Sequence, residues 1–86
     1  MNYNLVYTRR AEKDIKKLDS SIKSRIGNAL LKLQDNPLLY SEKLSDPALG
    51  TYKFRIGDYR VIFDIEGTDV VILRIGHRRE IYKRFR

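Results

Sequence analysis

Three basic side chains in the third quarter of the chain are spaced so that they could bind one anion. Gly57-Asp58 is typical of a two-residue β-turn with glycine first, as a type II′ turn requires. Strands paired across that turn place Arg55 opposite Arg60, with Lys53 on the same face. Like charges that face each other destabilise a sheet, whereas guanidinium and ammonium groups together bind phosphate oxygens. We therefore predict a phosphate site here; the alternative is a solvated face on which the long side chains splay apart.

The residues that follow the last predicted strand could extend this cluster. In the second hairpin of the predicted sheet, Ile65 lies opposite Val70. The same register brings Arg60 close to Ile75. Gly76 then allows the chain to turn, so that the residues after it are delivered beside Arg60. The convergent group predicted in this way comprises Lys53, Arg55, Arg60, Tyr82 and either His77 or Arg78.

The first half of the chain is predicted to form one strand and two helices. Residues 2–7 alternate in polarity as a half-buried strand does. Thr8 can cap a short helix that extends to about Leu18, with apolar residues along one face. A second helix is predicted from about Ser20 to Asp35, and Asn36-Pro37 ends it because the residue before proline avoids the α region. The tight junction between the helices indicates an antiparallel hairpin.

The second half of the chain is predicted to be rich in β-structure. Residues 37–50 have the composition of a loop, which is long for a connection in a compact domain. A short helix or an extended tail is expected over residues 80–85. The three predicted strands are Thr51–Ile56, Tyr59–Ile65 and Val70–Ile75. The order βααβββ predicts one α+β domain over residues 1–86, with a helical hairpin packed on one face of a mostly antiparallel four-stranded sheet.

The sheet face that carries Lys53, Arg55 and Arg60, the basic trio, is also predicted to carry apolar side chains. By alternation these are Ile62, Val71, Leu73 and Ile75, with Val6 of the first strand beside them. Apolar area of that extent normally marks a contact. We therefore expect a second chain, or the protein's own C-terminal tail, to cover this face. Arg74 falls on the core-facing parity, which indicates either a bulge or an exposed strand end.

Composition favours a cytoplasmic protein with a polyanionic partner. Lysine and arginine total 18 against 11 acidic residues, a net charge of +7, and such an excess favours nucleic acid because phosphate neutralisation releases counterions. With no cysteine and one histidine, the chain lacks the usual ligands of zinc and any thiol nucleophile, and it suits a reducing compartment. The start of the chain is too polar for a signal peptide. No apolar run of about 18 residues occurs, so no membrane span is expected.

Three segments of the second half stand in a characteristic order. They are Tyr52-Lys53-Phe54-Arg55, Gly57-Asp58-Tyr59-Arg60-Val61-Ile62-Phe63 and Gly76-His77-Arg78-Arg79-Glu80-Ile81-Tyr82. In this order and spacing they resemble the RelE branch of the RelE/ParE toxin superfamily, and the N-terminal strand and helical hairpin match that family too. The resemblance implies an endoribonuclease that cuts messenger RNA in the ribosomal A site without a metal or other cofactor. It also implies a labile RelB-like antitoxin chain that binds and inhibits the toxin.

The resemblance further implies roles for single residues. The family's functional positions correspond to Lys53, Arg55 and Arg60 on the first hairpin, to Arg78 after the last strand and to Tyr82 near the C-terminus. Tyr82 is suited to stack on a base or to orient the phosphate. Arg79 and Lys83 are less specific: they would contact ribosomal RNA or an acidic segment of the antitoxin, or they are solvated.

The residue types present indicate which side chains could supply each function that metal-free cleavage of RNA requires. The 2′-hydroxyl attacks the adjacent phosphate and leaves a 2′,3′-cyclic phosphate, which requires cations at the phosphorane, a proton acceptor and a proton donor. Arg60 and Arg78 are suited to clamp the phosphate. Arg55 stands where the family commonly has a lysine, and arginine keeps its proton, so it is a better clamp than base. Our hypothesis is that His77 or Lys53 transfers protons, because imidazole titrates near neutral pH and neighbouring cations favour a neutral lysine.

Two other functions stay open at this point. A ParE-like toxin that inhibits DNA gyrase shares the fold, but gyrase binding would not require the basic residues of the first hairpin to converge with Arg78. A catalytically silent module that binds RNA or an antitoxin is also compatible with the sequence, because Arg55 occupies the usual lysine position.

Overall fold

The computed structural model describes residues 2–45 and 50–81. The elements are β1 (Asn4–Tyr7), α1 (Arg9–Lys16), α2 (Ser20–Asp35), β2 (Ser41–Lys43), β3 (Tyr52–Ile56), β4 (Tyr59–Glu66), β5 (Asp69–His77) and α3 (Arg78–Ile81). They form one sheet in the order β1-β5-β4-β3-β2. Only the β1–β5 pair in that sheet is parallel. The α+β class with a helical pair on a mostly antiparallel sheet is therefore confirmed.

The sheet has five strands instead of the expected four. The additional strand, Ser41–Lys43, lies inside the segment predicted as a loop and pairs antiparallel with β3. It is three polar residues long and has no alternation of apolar and polar side chains, so periodicity could not reveal it. Its register places Glu42 opposite Lys53. Strand β2 therefore places the Glu42 carboxylate beside the basic side chains of β3.

Side-chain caps define where the two long helices begin. The Thr8 hydroxyl accepts a hydrogen bond from the Ala11 amide at 3.1 Å, as predicted. The Asp19 carboxylate accepts one from the Ile22 amide at 3.0 Å, and this bond, with a second from the Ser21 hydroxyl, lowers the pKa of Asp19. Helix α1 ends at Lys16, two residues earlier than predicted. None of the helices in the described part of the chain is both long and apolar enough to cross a membrane.

The core lies between the helices and one face of the sheet. Helix α2 buries Ile26, Leu30 and Leu33, which face apolar side chains of the central strands. The buried members of the cluster are Ala11, Ile26, Leu30, Leu33, Phe54, Val61, Phe63, Val70, Ile72 and Ile75. Burial of aliphatic and aromatic side chains on this scale is the main stabilising term for a domain of this size.

The register of the first hairpin is the predicted one, with Arg55 opposite Arg60. Gly57 takes a φ of +58° while Asp58 keeps a negative φ, which agrees with the type II′ turn expected from glycine in the first position. This positive φ strains a residue with a Cβ, so the turn selects glycine.

A β-bulge in β5 changes the register of the second hairpin. Ile62 pairs with Arg74 and Phe63 pairs with Ile72, so Leu73 is the extra residue. Beyond the bulge the side chains change face. Ile75 is consequently buried in the core and not on the outer face, and Arg60 lies opposite Gly76 instead of beside Ile75. Of the two explanations offered for Arg74, the bulge is therefore confirmed.

The outer face of the sheet is covered in part by the chain's own backbone at Gly50. A Cβ built on Gly50 would lie 2.7 Å from Cγ2 of Ile62 and 2.9 Å from Cδ1 of Leu73. The next amide, that of Thr51, donates to the Asp64 carboxylate at 2.7 Å and fixes this approach. Gly50 therefore covers part of the apolar area at Ile62 and Leu73, Val6 remains 42% exposed, and the covering of this face by a second chain stays a prediction. The C-terminal tail lies outside the described residues.

Helix α1 covers the edge of β5 where β1 ends. The Asp14 carboxylate accepts from Nε of Arg74 at 2.8 Å and from the amide of Ile75 at 2.9 Å. The Thr8 hydroxyl donates to the carbonyl of Leu73 at 3.1 Å. Asp14 and Arg74 are both buried, so the exposed strand end proposed for Arg74 is wrong. The carboxylate serves as a substitute for the neighbouring strand that β5 lacks at this point.

We expect the Asp14→Ala substitution to lower the free energy of unfolding by about 3 to 5 kcal/mol, because it removes one partner of a buried ion pair and leaves the Ile75 amide without its acceptor. Arg10→Ala is the matched control. Its Nε lies 3.8 Å from the same carboxylate but its side chain is 45% exposed, so solvent screening limits its effect to about 1 kcal/mol or less. Urea unfolding of both variants measures this, and equal losses would contradict the role assigned to Asp14.

Candidate functional site

Two basic side chains of β3 share one carboxylate of β2. The Glu42 Oε1 atom lies 3.3 Å from NH2 of Arg55 and 3.7 Å from Nζ of Lys53. This arrangement follows from the sheet register, because Glu42 pairs directly with Lys53 on the adjacent strand. The three side chains are partly or largely exposed, so their contacts can exchange for contacts to a ligand. The cluster carries two positive charges and one negative charge at a surface that RNA phosphate could reach.

Arg60 is held differently from the other cations of the hairpin. Its NH1 group donates to the carbonyl oxygens of Gly57 and Tyr59, both at 2.8 Å, and the residue is only 8% exposed. The two hydrogen bonds hold the Arg60 guanidinium at the Gly57-Asp58 turn. They fix one cation of the hairpin in place.

Arg78 contacts the same turn from outside. Its amide donates to the carbonyl of Asp58 at 2.7 Å, and its Nε lies 3.7 Å from the Asp58 carboxylate. The Arg78 side chain is 53% exposed, so this ion pair is weak and readily exchanged for another anion. Arg60 and Arg78 thus both bind the Gly57-Asp58 turn, the first with a buried guanidinium and the second with an exposed one.

His77 lies on the other side of the sheet from the basic trio. It pairs with Tyr59, whereas Arg60 pairs with Gly76, and neighbouring residues of a strand face opposite sides. Its Nδ1 accepts a hydrogen bond from the Arg79 amide at 3.1 Å, and its ring packs edge-on against Tyr59 with centroids 5.4 Å apart. An accepting Nδ1 means that the proton of the neutral ring is on Nε2. His77 is therefore not brought beside Lys53 and Arg55.

The structure groups the predicted site residues into two adjoining sets. Lys53 and Arg55 lie with Glu42 on β2 and β3, while Arg60 and Arg78 lie at the hairpin turn. Arg79 is exposed on α3. Tyr82 and Lys83 lie outside the described residues. Across residues 2–45 and 50–81, no three His, Cys, Asp or Glu side chains are grouped closely enough to bind a metal ion.

Sequence reasoning missed Glu42. The residue was assigned to a loop, and no apolar pattern marked the strand that carries it. The available signal was a negative charge close to a basic hairpin, Ser41-Glu42-Lys43, in a chain with a large excess of positive charge. Only the pairing of β2 with β3 turns that proximity in sequence into a contact.

We expect Glu42→Gln to bind a single-stranded RNA oligonucleotide more tightly than the unmodified chain, because Lys53 and Arg55 lose the carboxylate that competes with phosphate. If one more phosphate is neutralised, the slope of log affinity against log salt concentration should steepen by about 0.7. Fluorescence anisotropy at several salt concentrations measures both quantities. Glu66→Gln, the same change at the far end of β4, is the control, and an equal gain there would show a general charge effect.

Comparison with known proteins relates the whole arrangement to bacterial toxins. The sequence model of one family, described as the ParE toxin of a type II toxin–antitoxin system, parDE, matches residues 5–82. Toxin RelG of Mycobacterium tuberculosis is 37% identical over 98% of this chain and 100% of its own. In the solved RelBE2 toxin–antitoxin complex of the same organism, one chain superposes with a TM-score of 0.82 and 32% identity over 91% of this chain and all of that one.

A more distant solved structure supports the fold alone. A double mutant of Escherichia coli toxin RelE in the free state has a TM-score of 0.77 and 23% identity, covering 99% of this chain and 95% of that one. The fold predicted from the sequence is thus shared with a toxin solved without its antitoxin.

Proposed function

The chain belongs to the RelE/ParE superfamily and is a toxin of a type II toxin–antitoxin system, and on this premise we propose that it is an endoribonuclease that cleaves messenger RNA in the ribosomal A site. The observation that carries the proposal is that Arg60 and Arg78 both contact the Gly57-Asp58 turn, on the hairpin whose other strand presents Lys53 and Arg55. The solvent-accessible cations Lys53, Arg55 and Arg78, together with the fixed guanidinium of Arg60, suit a phosphate group in an RNA substrate.

The proposed reaction is an internal transfer of the phosphoryl group. The 2′-hydroxyl loses its proton to a base, its oxygen forms a bond to the adjacent phosphorus, and the bond from phosphorus to the 5′-oxygen breaks. The leaving 5′-oxygen takes a proton from solvent water, so the products end in a 2′,3′-cyclic phosphate and a 5′-hydroxyl. Charge on the phosphorane is stabilised by Arg60, which two carbonyls hold in a fixed position, and by Arg78, which turns from Asp58 to the phosphate. A donor fixed in advance needs little reorganisation in the transition state.

We assign the proton acceptor to Glu42. A carboxylate takes the 2′-hydroxyl proton directly, whereas the ammonium of Lys53 must first lose one. His77 is poorly placed to accept a proton, because its Nδ1 already accepts from the Arg79 amide. Contacts of 3.3 Å and 3.7 Å to Arg55 and Lys53 orient the Glu42 carboxylate beside the cations that would hold the phosphate. This assignment replaces His77 and Lys53, the two groups that sequence reasoning favoured.

Primer extension on messenger RNA in purified translating ribosomes tests the nuclease. We expect the unmodified chain to produce cuts within A-site codons and Arg78→Ala to lower the cleavage rate by about 10²- to 10³-fold, the usual loss for one donor to a developing oxyanion. Lys23→Ala, which removes an exposed cation of α2 but none of the proposed phosphate contacts, should cleave at the unmodified rate. A chain that makes no cuts in this assay would contradict the proposal.

Glu42→Gln separates proton transfer from binding. We expect the single-turnover cleavage rate to fall by about 10²- to 10⁴-fold, the usual contribution of a general base, although the variant binds RNA more tightly. Glu66→Gln should leave the rate unchanged. A Glu42→Gln variant that cleaves at the full rate would exclude this residue as the base.

Inhibition of DNA gyrase is the second candidate function, and the matching family model, described as a ParE toxin, favours it. A supercoiling assay with purified gyrase distinguishes the two functions. Blocked supercoiling together with intact messenger RNA on ribosomes would select the ParE-like function. The basic side chains of the first hairpin and Arg78 support the nuclease, since gyrase inhibition does not require a phosphate clamp.

The proposed partners follow from the relatives. RelBE2 of M. tuberculosis is a toxin–antitoxin complex, and we propose that a RelB-like antitoxin chain inhibits this toxin too. We propose messenger RNA and ribosomal RNA on the ribosome as the substrate partners, and the cytoplasm as the compartment in which the toxin acts.

A further inference from the structure

We propose that His77 is a positioning residue: it caps α3 and thereby holds Arg78 at the hairpin turn. Strand β5 ends at His77 and α3 begins at Arg78 without an intervening loop. His77 is therefore the N-cap of α3. Its Nδ1 accepts from the amide of Arg79 at 3.1 Å, in the way that an asparagine or aspartate cap accepts from the second residue of a helix.

Helix α3 needs such anchoring because it is only four residues long. A single turn does not persist by itself, since nucleation of a helix costs more than one turn returns. The first amide of α3, from Arg78, donates to the Asp58 carbonyl at 2.7 Å. The second amide is bound by His77. At the other end Ile81 is buried against the backbone of Gly76, where a built Cβ would lie 3.7 Å from the Ile81 side chain.

The ring of His77 is itself oriented by its neighbours. It meets the ring of Tyr59 edge-on at 76°, with centroids 5.4 Å apart, and Tyr59 is its partner in the strand register. This contact directs Nδ1 toward α3. A cavity of about 330 Å³ borders the ring, and Lys17 and Glu80 also line it. His77 thus packs on Tyr59, on the sheet face opposite the basic trio, and binds α3, the helix that carries Arg78.

The effect of His77 on the cleavage rate rests on the role proposed for Arg78. The hydrogen bond by which His77 caps α3 does not depend on that role. If the cap positions Arg78, the side chain at residue 77 needs a hydrogen-bond acceptor but no titratable proton. Asparagine supplies such an acceptor and cannot transfer a proton at neutral pH. His77→Asn and His77→Ala therefore differ in the one property that the proposal requires.

The test measures both variants in two ways. The first readout is hydrogen exchange of the Arg79 amide, followed by NMR on the purified toxin, with the Phe63 amide of the core as internal reference. We expect the Arg79 amide to exchange as slowly in His77→Asn as in the unmodified chain. In His77→Ala its exchange rate should be about tenfold higher. Protection of Phe63 should not change in either variant. An unchanged Arg79 amide in His77→Ala would overturn the cap.

The second readout is the cleavage rate on ribosomes. We expect His77→Asn to cleave at nearly the unmodified rate and His77→Ala to be slower. Because both residues act through one contact, His77→Ala combined with Arg78→Ala should be no slower than Arg78→Ala alone. Loss of cleavage in His77→Asn with full Arg79 protection would assign proton transfer to His77 and contradict the proposal. If the unmodified chain makes no cuts, the proposed nuclease fails, while the exchange readout still decides whether His77 caps α3.

Discussion

A buried carboxylate at the edge of the sheet determines how the second half of the chain is arranged. Strand β5 extends five residues beyond the point where its pairing with β1 ends, and backbone groups left there without a strand would be costly to bury. Asp14 provides the missing acceptor for Ile75 and binds the Arg74 guanidinium with the same carboxylate. The strand can therefore continue to His77 and deliver α3 to the hairpin turn. The position of Arg78 therefore depends on this edge being closed.

The bulge at Leu73 and the Asp14–Arg74 pair belong together. Without the extra residue, Arg74 would face the apolar core and Ile75 would face away from it. With it, Ile75 enters the core and the charged side chain reaches the end of α1. Burial of a charge is tolerated only when hydrogen bonds satisfy it, and here a helix and a strand contribute to that. The bulge thus avoids burying the Arg74 guanidinium in the apolar core, where a regular strand would place it.

Local patterns in the sequence were sufficient for much of the fold. Threonine favours the N-cap position of a helix, and Gly-Asp favours a two-residue turn. The start of α1 and the register of the first hairpin could therefore be predicted from neighbouring residues. The bulge could only be suspected from the misplaced Arg74. Strand β2 could not be predicted, because three polar residues become a strand only through pairing with β3. The same limit applies to the site: alternation placed Arg55 opposite Arg60, but Glu42 meets Lys53 and Arg55 only through the pairing of β2 with β3.

Strand β2 also has to protect the edge of the sheet that it forms. An outermost strand exposes unpaired amides and carbonyls to other chains, and proteins counter this by keeping such strands short and charged. Ser41-Glu42-Lys43 has both properties. Glu42 consequently protects this edge as well as binding Lys53 and Arg55, and these two demands do not favour the same replacements. An apolar residue at this position would remove both ion pairs and leave a sheet edge open to self-association, so the two losses would arise together from a single change.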